Sequence, residues 1–317
     1  MQQLSFPGHR FFRGGHLQTL AGLYLPAPVV PYQAELILVD VPGGDKIALH
    51  DDCPTGWRSS DQAALLLHGL AGCHGSGYMS RIAHRLNQQG VRTFRMDMRG
   101  TGAATGLARL PGHAGRTEDA AAAIEVIANH CPESPLTMIG FSMGGNITLS
   151  VLADASNAPI GNLQRGIAVC PPVDLSKCCR ELRQGTSRLY DRYLIHFLVQ
   201  RWRATGGEIP GKKPTSIYQF DDEITAPLSG FSDAEDYYAH ASSGPRLKEI
   251  TLPTRILAAE DDPVVAFAAS KAAVLSPSVE LFHTKTGGHL GYVTHRGVVP
   301  GGRWMDWLVT EWVLGGW

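Results

Sequence analysis

The chain has 317 residues, of which 44% are hydrophobic and 18% are charged, and its formal net charge is −1. This length and apolar content suffice to bury a large core, which argues against intrinsic disorder. No basic excess is present to neutralise phosphates, so nucleic acid is not an expected partner.

Short apolar segments rich in branched residues alternate with segments of helical periodicity. They predict strands at 36–39, 47–49, 64–67, 91–96, 136–139, 166–169, 255–258 and 279–282. They also predict helices at 78–89, 117–129, 143–153, 264–274 and 303–314. The last six strands are almost continuously apolar, as parallel strands covered on both faces should be. The pattern predicts an α/β fold, with a mostly parallel central sheet flanked by helices.

The alternation stops between Pro171 and Pro253. A stretch of this length without a core strand is typical of a functional insertion. Amphipathic patterns at 190–203 and 233–240 predict that the insertion is helical. We therefore expect an α/β core in two parts, 1–170 and 254–317, interrupted by a helical cap at 171–253.

A candidate nucleophile lies at the centre of Gly140-Phe141-Ser142-Met143-Gly144. A predicted strand runs directly into this G-x-S-x-G pattern and a predicted helix follows it, which is the context of a nucleophile elbow. Small residues beside the serine allow the sharp turn to approach neighbouring backbone closely. Ser142 is therefore the predicted nucleophile; the alternative is a serine that caps a buried helix in an inert fold.

The acid should follow the nucleophile in the chain and precede the histidine. Asp262 ends the run Glu260-Asp261-Asp262 after the strand at 255–258. The residue before a proline is disfavoured in a helix, so Asp262, next to Pro263, is expected in a loop at the strand end. Asp261 remains the alternative.

The general base should follow the last strand. His289 lies in Gly287-Gly288-His289-Leu290-Gly291, where glycines permit a loop that curls back to the strand ends. His283, within the strand, and His295, further along the chain, are poorer candidates.

The oxyanion hole of this fold uses the backbone N–H after the nucleophile and another from an early strand-end loop. These positions correspond to Met143 and to Leu70, in Leu67-His68-Gly69-Leu70. His68 is then expected to be a structural residue of the loop.

The motifs together resemble the YheT-like family of α/β-hydrolases along nearly the whole chain. They are Gly14-Gly15-His16-Leu17-Gln18-Thr19, His68-Gly69-Leu70, Met98-Arg99-Gly100, His113-Ala114-Gly115-Arg116-Thr117-Glu118-Asp119, Gly140-Phe141-Ser142-Met143-Gly144-Gly145-Asn146, Phe220-Asp221-Asp222 to Gly230-Phe231 and Asp236-Tyr237-Tyr238, and Gly288-His289-Leu290-Gly291. The resemblance implies that Ser142, Asp262 and His289 form the triad and that carboxylic esters are the substrates. One departure is Asp97, where the family often has asparagine.

The resemblance leaves the segment from Gly14 to Thr19 without a role in acyl transfer. We expect it to be structural, with a pocket-lining role for His16 or Gln18 as the alternative. Apolar residues of the cap, including Phe197, Leu198 and Phe231, favour an acyl chain of medium length.

The predicted function is that of a serine esterase that forms an acyl-enzyme and needs neither a metal nor an organic cofactor. A thioesterase, lipase, amidase or perhydrolase would use the same triad, and an inactive interaction protein is the alternative outside enzymes. The expected partner is a small ester or acyl substrate.

A cytoplasmic location is expected, because the N-terminal sequence lacks a signal-peptide pattern and the longest apolar runs are too short to span a membrane. The six cysteines show no zinc-site spacing and are expected to be reduced. A redox pair of Cys178 and Cys179 is the alternative.

Four tryptophans lie in the last 14 residues: Trp304, Trp307, Trp312 and Trp317. We expect this helix to pack against the sheet, with docking on a lipid surface as the alternative.

Overall fold

A computed structural model describes residues 1–26 and 30–315 of the chain. The described residues form one sheet of nine strands in the order β1-β9-β8-β7-β6-β4-β5-β3-β2. The strands are β1 Gln2–Gln3, β2 Glu35–Val41, β3 Asp45–Asp52, β4 Ala63–Leu67, β5 Arg92–Asp97, β6 Leu136–Phe141, β7 Leu163–Val169, β8 Thr254–Ala259 and β9 Val279–Thr284.

Strands β4 to β9 are parallel, and β3 joins them as an antiparallel neighbour of β5. Strand β2 pairs antiparallel with β3 at one edge, and the two residues of β1 pair with β9 at the other. The mostly parallel sheet predicted from the continuous apolar runs is confirmed. The carboxyl ends of its parallel strands all lie on the same side of the sheet, and the candidate active site described below is found there.

Eleven α-helices occur in the described part of the chain. They are α1 Gly15–Tyr24, α2 Gly77–Gln88, α3 Thr117–His130, α4 Met143–Asn157, α5 Leu175–Leu182, α6 Arg188–Ala204, α7 Ile217–Phe220, α8 Ala226–Leu228, α9 Ala234–Ala241, α10 Phe267–Ala272 and α11 Trp304–Leu314. A π-helical turn, Asp221–Thr225, joins α7 to α8.

Helices cover both faces of the sheet, as predicted. On one face, α2 and α11 contribute Met79, Ile82 and Leu308 to an apolar cluster. On the other, α3 and α4 contribute Ile124 and Val151 to a second cluster, with α10 packed at its margin. Since both faces are buried, the central strands need no polar alternation.

Four helices, α1, α5 and the short α7 and α8, were not predicted, and one is shorter than predicted. Helix α1 was missed because its large apolar side chains face outward, so its pattern is not that of a core-facing helix. Helix α5 was also missed. The helix predicted at 264–274 begins only at Phe267, because the Asp262 carboxylate accepts the N–H groups of Val264 and Val265 and holds them in a loop.

The chain between β7 and β8 contains helices α5 to α9 and no strand. Its buried residues form a cluster of their own, which includes Leu175, Ile217 and Tyr238. The predicted helices at 190–203 and 233–240 correspond to α6 and α9. The treatment of 171–253 as a cap with these boundaries stays a prediction.

The C-terminal helix α11 packs against the sheet. Trp304 and Trp312 are buried, and the Trp312 ring lies 5.0 Å from that of Phe282 on β9. Trp317 lies outside the described residues. None of the described helices combines the length and the apolar character that crossing a bilayer requires.

Candidate active site

Ser142 stands at a sharp turn between β6 and α4. Its φ of 52° and ψ of −120° are strained values for a residue with a side chain. A Cβ at Gly140 would lie 2.1 Å from the Gly144 oxygen, and one at Gly144 would lie 2.6 Å from the His68 oxygen. Both glycines are therefore required by close backbone approach, and the turn projects Ser142 above the strand ends.

The structure brings Ser142, His289 and Asp262 together although they are far apart in sequence. His289 Nε2 lies 2.9 Å from Ser142 Oγ, and His289 Nδ1 lies 2.8 Å from Asp262 Oδ2. The other oxygen of Asp262 accepts the N–H groups of Val264 and Val265 at 2.8 and 2.9 Å. The carboxylate is thereby oriented toward the imidazole, and a base lies within reach of the serine hydroxyl.

The alternative acid and bases lie elsewhere. Asp261 accepts the N–H of Gly288 at 2.9 Å and does not contact the His289 ring. His283 is bonded to Glu260, and His295 accepts the N–H of Arg10. Of the candidates left open by the sequence, only His289 contacts the Ser142 hydroxyl, and only Asp262 contacts the His289 ring.

Helix α1 contacts the loop that carries His289, residues 285–293, which we call the His289 loop. The Thr19 hydroxyl accepts the His289 N–H at 2.9 Å. The Gln18 amide accepts the Val293 N–H and donates to the Val293 carbonyl. A Cβ at Gly15 would lie 1.7 Å from the Asp261 backbone oxygen, so the backbone of the helix contacts the loop that carries Asp261 and Asp262.

A second loop, residues 68–76, approaches Ser142 from the other side; we call it the Leu70 loop. A Cβ at its Gly69 would lie 3.2 Å from the Ser142 Cβ. Arg201 of α6 donates to the Leu70 and Gly72 carbonyls at 2.5 and 2.6 Å. At the same time the Tyr78 hydroxyl accepts the Gly69 N–H at 3.0 Å.

Two backbone donors at the nucleophile have no protein partner. In the hydrogen-bonding of the described residues, the N–H groups of Leu70 and Met143 donate to nothing, and both residues line the cavity that contains Ser142. Met143 is the first residue of α4, whose N-terminus carries partial positive charge. The pair predicted as the oxyanion hole is thus placed beside Ser142 with its donors unused.

Burial holds the aromatic groups around the Leu70 loop uncharged. It lowers the pKa of His68 to about 4, and His68 Nε2 lies 3.1 Å from the Thr101 hydroxyl. Burial raises the pKa of Tyr78 to about 12. His68 is therefore a neutral structural residue of the loop, as its position in the sequence suggested.

Asp97 anchors the same loop through charge. It accepts the His74 N–H at 2.6 Å and the Ala103 N–H at 2.7 Å, and it contacts the rings of His50 and His74 at 2.9 and 2.7 Å. Burial alone would raise the pKa of Asp97, but these hydrogen bonds outweigh it and hold the pKa well below its usual value.

Two clusters in the described part of the chain have the residue types of a metal site. One is His50, His74 and Asp97; the other is Cys170 with Asp262 and His289. In the first, the imidazoles are stacked with centroids 3.6 Å apart, and His50 Nε2 and His74 Nδ1 both contact Asp97 Oδ2. Stacked rings direct their lone pairs side by side, so this arrangement favours a hydrogen-bonded pair over a chelate. The second cluster is the Ser142 site itself.

A cavity of about 840 Å³ opens over Ser142 and His289. Helices α1, α5 and α6 supply much of its wall, including Leu20, Leu175 and Leu194. His16 also lines it, whereas Gln18 is buried beneath the helix. The described lining includes Leu198 but neither Phe197 nor Phe231, so only one of the three cap residues expected to favour a medium-length acyl chain faces the cavity. Phe197 instead packs on Tyr193, and Phe231 on Tyr237.

Sequence reasoning missed Thr19 and Arg201 as contacts of the site. Thr19 belongs to the Gly14 to Thr19 motif, which was singled out but could not be placed, because its partner lies 270 residues away. Arg201 had no signal, since an arginine on an amphipathic helix is usually solvated.

Comparison with known proteins identifies the fold and the class. Residues 58–289 match the family model described as Serine aminopeptidase, S33. A Pyrococcus furiosus esterase, Pf2001, superposes with a TM-score of 0.58 at 18% identity, over 91% of this chain and 98% of that one. The likeness to that structure shows the fold alone.

Two curated relatives are similar in sequence. The Escherichia coli K12 protein named "Putative esterase YheT" is 29% identical over 96% of this chain and 91% of its own length. The Saccharomyces cerevisiae protein named "Monoacylglycerol lipase" is 29% identical over 76% of this chain and 56% of its own length. The predicted resemblance to YheT-like hydrolases is confirmed.

Proposed function

Because this chain belongs to the serine aminopeptidase S33 family of α/β-hydrolases and is of the esterase and lipase type, we propose that it cleaves carboxylic esters. In this proposal Ser142 is the nucleophile, His289 is the base and Asp262 is the acid that orients the base. The observation that carries the proposal is the continuous contact from Asp262 through His289 to Ser142. A hydroxyl becomes an effective nucleophile when a base oriented by a third group takes its proton.

In the first half-reaction, His289 Nε2 takes the Ser142 proton as Oγ attacks the ester carbonyl carbon. Negative charge collects on the carbonyl oxygen, where the unpaired N–H groups of Leu70 and Met143 stabilise it. The carbon–oxygen bond to the alcohol then breaks, and His289 returns the proton to the leaving alkoxide. Asp262 stays ionised throughout and stabilises the imidazolium.

In the second half-reaction, water replaces the alcohol. His289 takes a proton from the water as it attacks the acyl-enzyme, and the acid leaves when Ser142 recovers its proton. The apolar cavity wall, with Leu20, Leu175 and Leu194, suits an acyl chain of medium length. The names of the relatives, an esterase and a lipase, support an oxygen ester over a thioester or an amide.

We further infer a cytoplasmic location. All six cysteines are free thiols in the structure, and free thiols are typical of reducing compartments. Cys178 and Cys179 are among them, so the alternative of a redox pair gains no support.

The test is hydrolysis of p-nitrophenyl octanoate together with labelling by a fluorophosphonate. We expect Ser142→Ala to lower kcat at least about 10⁴-fold and to abolish labelling. Ser156→Ala, which removes a hydroxyl further along α4, is the matched control and should behave as the wild type. Labelling of Ser142→Ala at the wild-type rate would contradict the assignment.

The same assay ranks chain length. The octanoate ester should be cleaved with a higher kcat/KM than the acetate or palmitate ester. Equal values across the three esters would argue against a defined acyl pocket.

A further inference from the structure

Helix α1 is amphipathic in the reverse sense. It buries Gly15, Gln18 and Ala21 against the His289 loop and turns its large apolar side chains outward. The exposed side chains are Leu17, Leu20, Leu23 and Tyr24, with between 42% and 66% of their surface accessible. A surface helix normally does the opposite, so this exposed face calls for an apolar partner.

Helix α6 continues the same surface. Leu189 and Tyr193, one helical turn apart, are exposed. The two helices meet at His16, whose ring stacks on Tyr190 and lies 3.0 Å from its hydroxyl. Leu20, Leu23, Tyr24, Leu189 and Tyr193 also line the cavity over Ser142. Side chains that are both solvent-exposed and cavity-lining stand at the cavity mouth, so Leu17 and these five residues form an apolar rim around it, which we call the mouth rim.

The exposed charges on the two segments that form the mouth rim have one sign. Residues 1–26 contain Arg10 and Arg13 and no acidic residue. Helix α6 contains Arg188, Arg192, Arg201 and Arg203 and a single acid. That acid, Asp191, is buried and accepts the Ile217 N–H at 2.9 Å. In a chain with a net charge of −1, the exposed charges of these two segments are thus all basic: Arg10, Arg13, Arg188, Arg192 and Arg203.

We propose that the mouth rim docks on an anionic lipid surface, with the apolar side chains inserted at the interface and Arg188 and Arg192 against the lipid headgroups. Exposed leucine and tyrosine fringed by basic residues is the composition of an interfacial helix, and basic residues bind anionic bilayers by charge. The mouth rim, and not the C-terminal helix, is therefore the proposed docking site, because Trp304 and Trp312 are packed against the sheet.

A lipid surface fits the mouth rim better than a protein does. A protein docked on Leu20, Leu23 and Leu189 would close the cavity, whereas a lipid surface would face its opening and deliver a substrate into it. This step rests on the proposed function, but the docking itself does not, since it can be measured without catalysis.

The experiment is co-flotation of the full chain with vesicles of phosphatidylcholine alone or mixed equally with phosphatidylglycerol. We expect the protein to float with the anionic vesicles and to remain below with the zwitterionic ones. Arg188→Gln combined with Arg192→Gln should lower the ratio of bound to free protein on the order of twentyfold, since each basic residue at an anionic surface contributes about fivefold.

Matched controls separate this surface from net charge and hydrophobicity. Arg58→Gln with Lys248→Gln removes two exposed charges and should leave flotation unchanged. Both residues precede the amino ends of strands, β4 and β8, whereas the candidate site lies at the carboxyl ends. Leu17, exposed but outside the cavity lining, tests the apolar part, and Leu17→Ser should weaken flotation several-fold. Val274→Ser, at a residue beyond α10 that is even more exposed (69% against 48%), should not. Circular dichroism verifies that each variant is folded.

Three outcomes would overturn the proposal: no flotation of the wild type with anionic vesicles, equal losses in the two double variants, or a dimer in solution that Leu17→Ser dissociates while flotation persists. Flotation of Ser142→Ala should equal that of the wild type. If the proposed esterase activity fails its own test while flotation follows the predictions, docking stands and the reaction must be reassigned.

Discussion

Two loops flank Ser142, and they are held in place by different physics. The His289 loop is held by α1 through uncharged contacts: the Thr19 hydroxyl, the Gln18 amide and backbone packed on glycine. The Leu70 loop is held by charged groups, Arg201 on its carbonyls and Asp97 on its amide and imidazole at position 74. Helix α1 thus supports the His289 loop through uncharged contacts, whereas the groups that hold the Leu70 loop are charged.

The difference has energetic consequences. A neutral hydrogen bond contributes about 0.5–1.5 kcal/mol net, whereas one to a charged group contributes about 1.5–3 kcal/mol. Removing one partner of a buried charged network costs more still, because the remaining groups stay buried without partners. Substitutions of the charged groups that hold the Leu70 loop should therefore have larger effects than substitutions of the α1 side chains that hold the His289 loop. Of these two sets of groups, only the first includes a carboxylate, that of Asp97.

The largest effect is expected for Asp97→Ala. This change leaves the N–H groups of His74 and Ala103 and both imidazoles without their acceptor, so the free energy of unfolding at pH 7 should fall by about 3–5 kcal/mol. Urea unfolding measures it. Asp40→Ala, which removes an exposed carboxylate paired with Lys46, is the control and should remain close to the wild type.

The same variant has a defined pH signature. Because the folded pKa of Asp97 lies below its unfolded value of about 3.9, the native state binds fewer protons and the carboxylate stabilises it above that pH. The stability difference between wild type and Asp97→Ala should shrink as the pH falls below about 4. A difference that grows toward acid would refute the charged anchor.

A smaller effect, on catalysis, is expected for Arg201→Ala. Loss of the two charged hydrogen bonds to the Leu70 loop should lower kcat by about 10- to 100-fold with little change in KM, since the oxyanion donor proposed at Leu70 would act on the transition state. Arg201→Lys, which keeps the charge and one donor, should recover part of the loss. Arg203→Ala, on the same helix but exposed, is the control; an equal loss there, or a loss confined to KM, would contradict a positioning role.

The smallest effect is expected for Thr19→Val. This substitution removes one neutral acceptor from the His289 N–H and should lower kcat about three- to tenfold, measured with the same ester. Thr19→Ser keeps the hydroxyl and should restore activity, and Thr105→Val serves as an exposed control. If Thr19→Val were more damaging than Arg201→Ala, the ranking of the two loops would be reversed.

Ser142, Asp262 and His289 could be predicted from the sequence because the backbone conformation at each is set by adjacent residues. Glycines at 140 and 144 are needed for a turn that a strand enters and a helix leaves. Pro263 keeps Asp262 out of the helix, and glycines on both sides of His289 let the chain curl. Each signal spans a few residues, and the chain order of nucleophile, acid and base supplied the rest.

The supports of the site were not readable in this way. Gln18 and Thr19 act on residues about 270 positions later, and Arg201 acts on a loop about 130 positions earlier. Nothing in the local pattern marks such pairs. Helix α1 was hidden further because its inward face carries glycine, alanine and glutamine, so that no apolar periodicity indicated burial.

The sequence by itself determined the mostly parallel sheet and the serine turn, since these follow from apolar runs and from local backbone sterics. Only the tertiary structure decided that Asp262, and not Asp261, contacts His289, because adjacent carboxylates differ in direction and not in composition. The tertiary structure also decided which apolar residues are core and which are surface: it buries Trp304 and Trp312 on the sheet and leaves the leucines of α1 around the cavity mouth. Burial depends on which elements pack together, and that packing is a property of the whole chain.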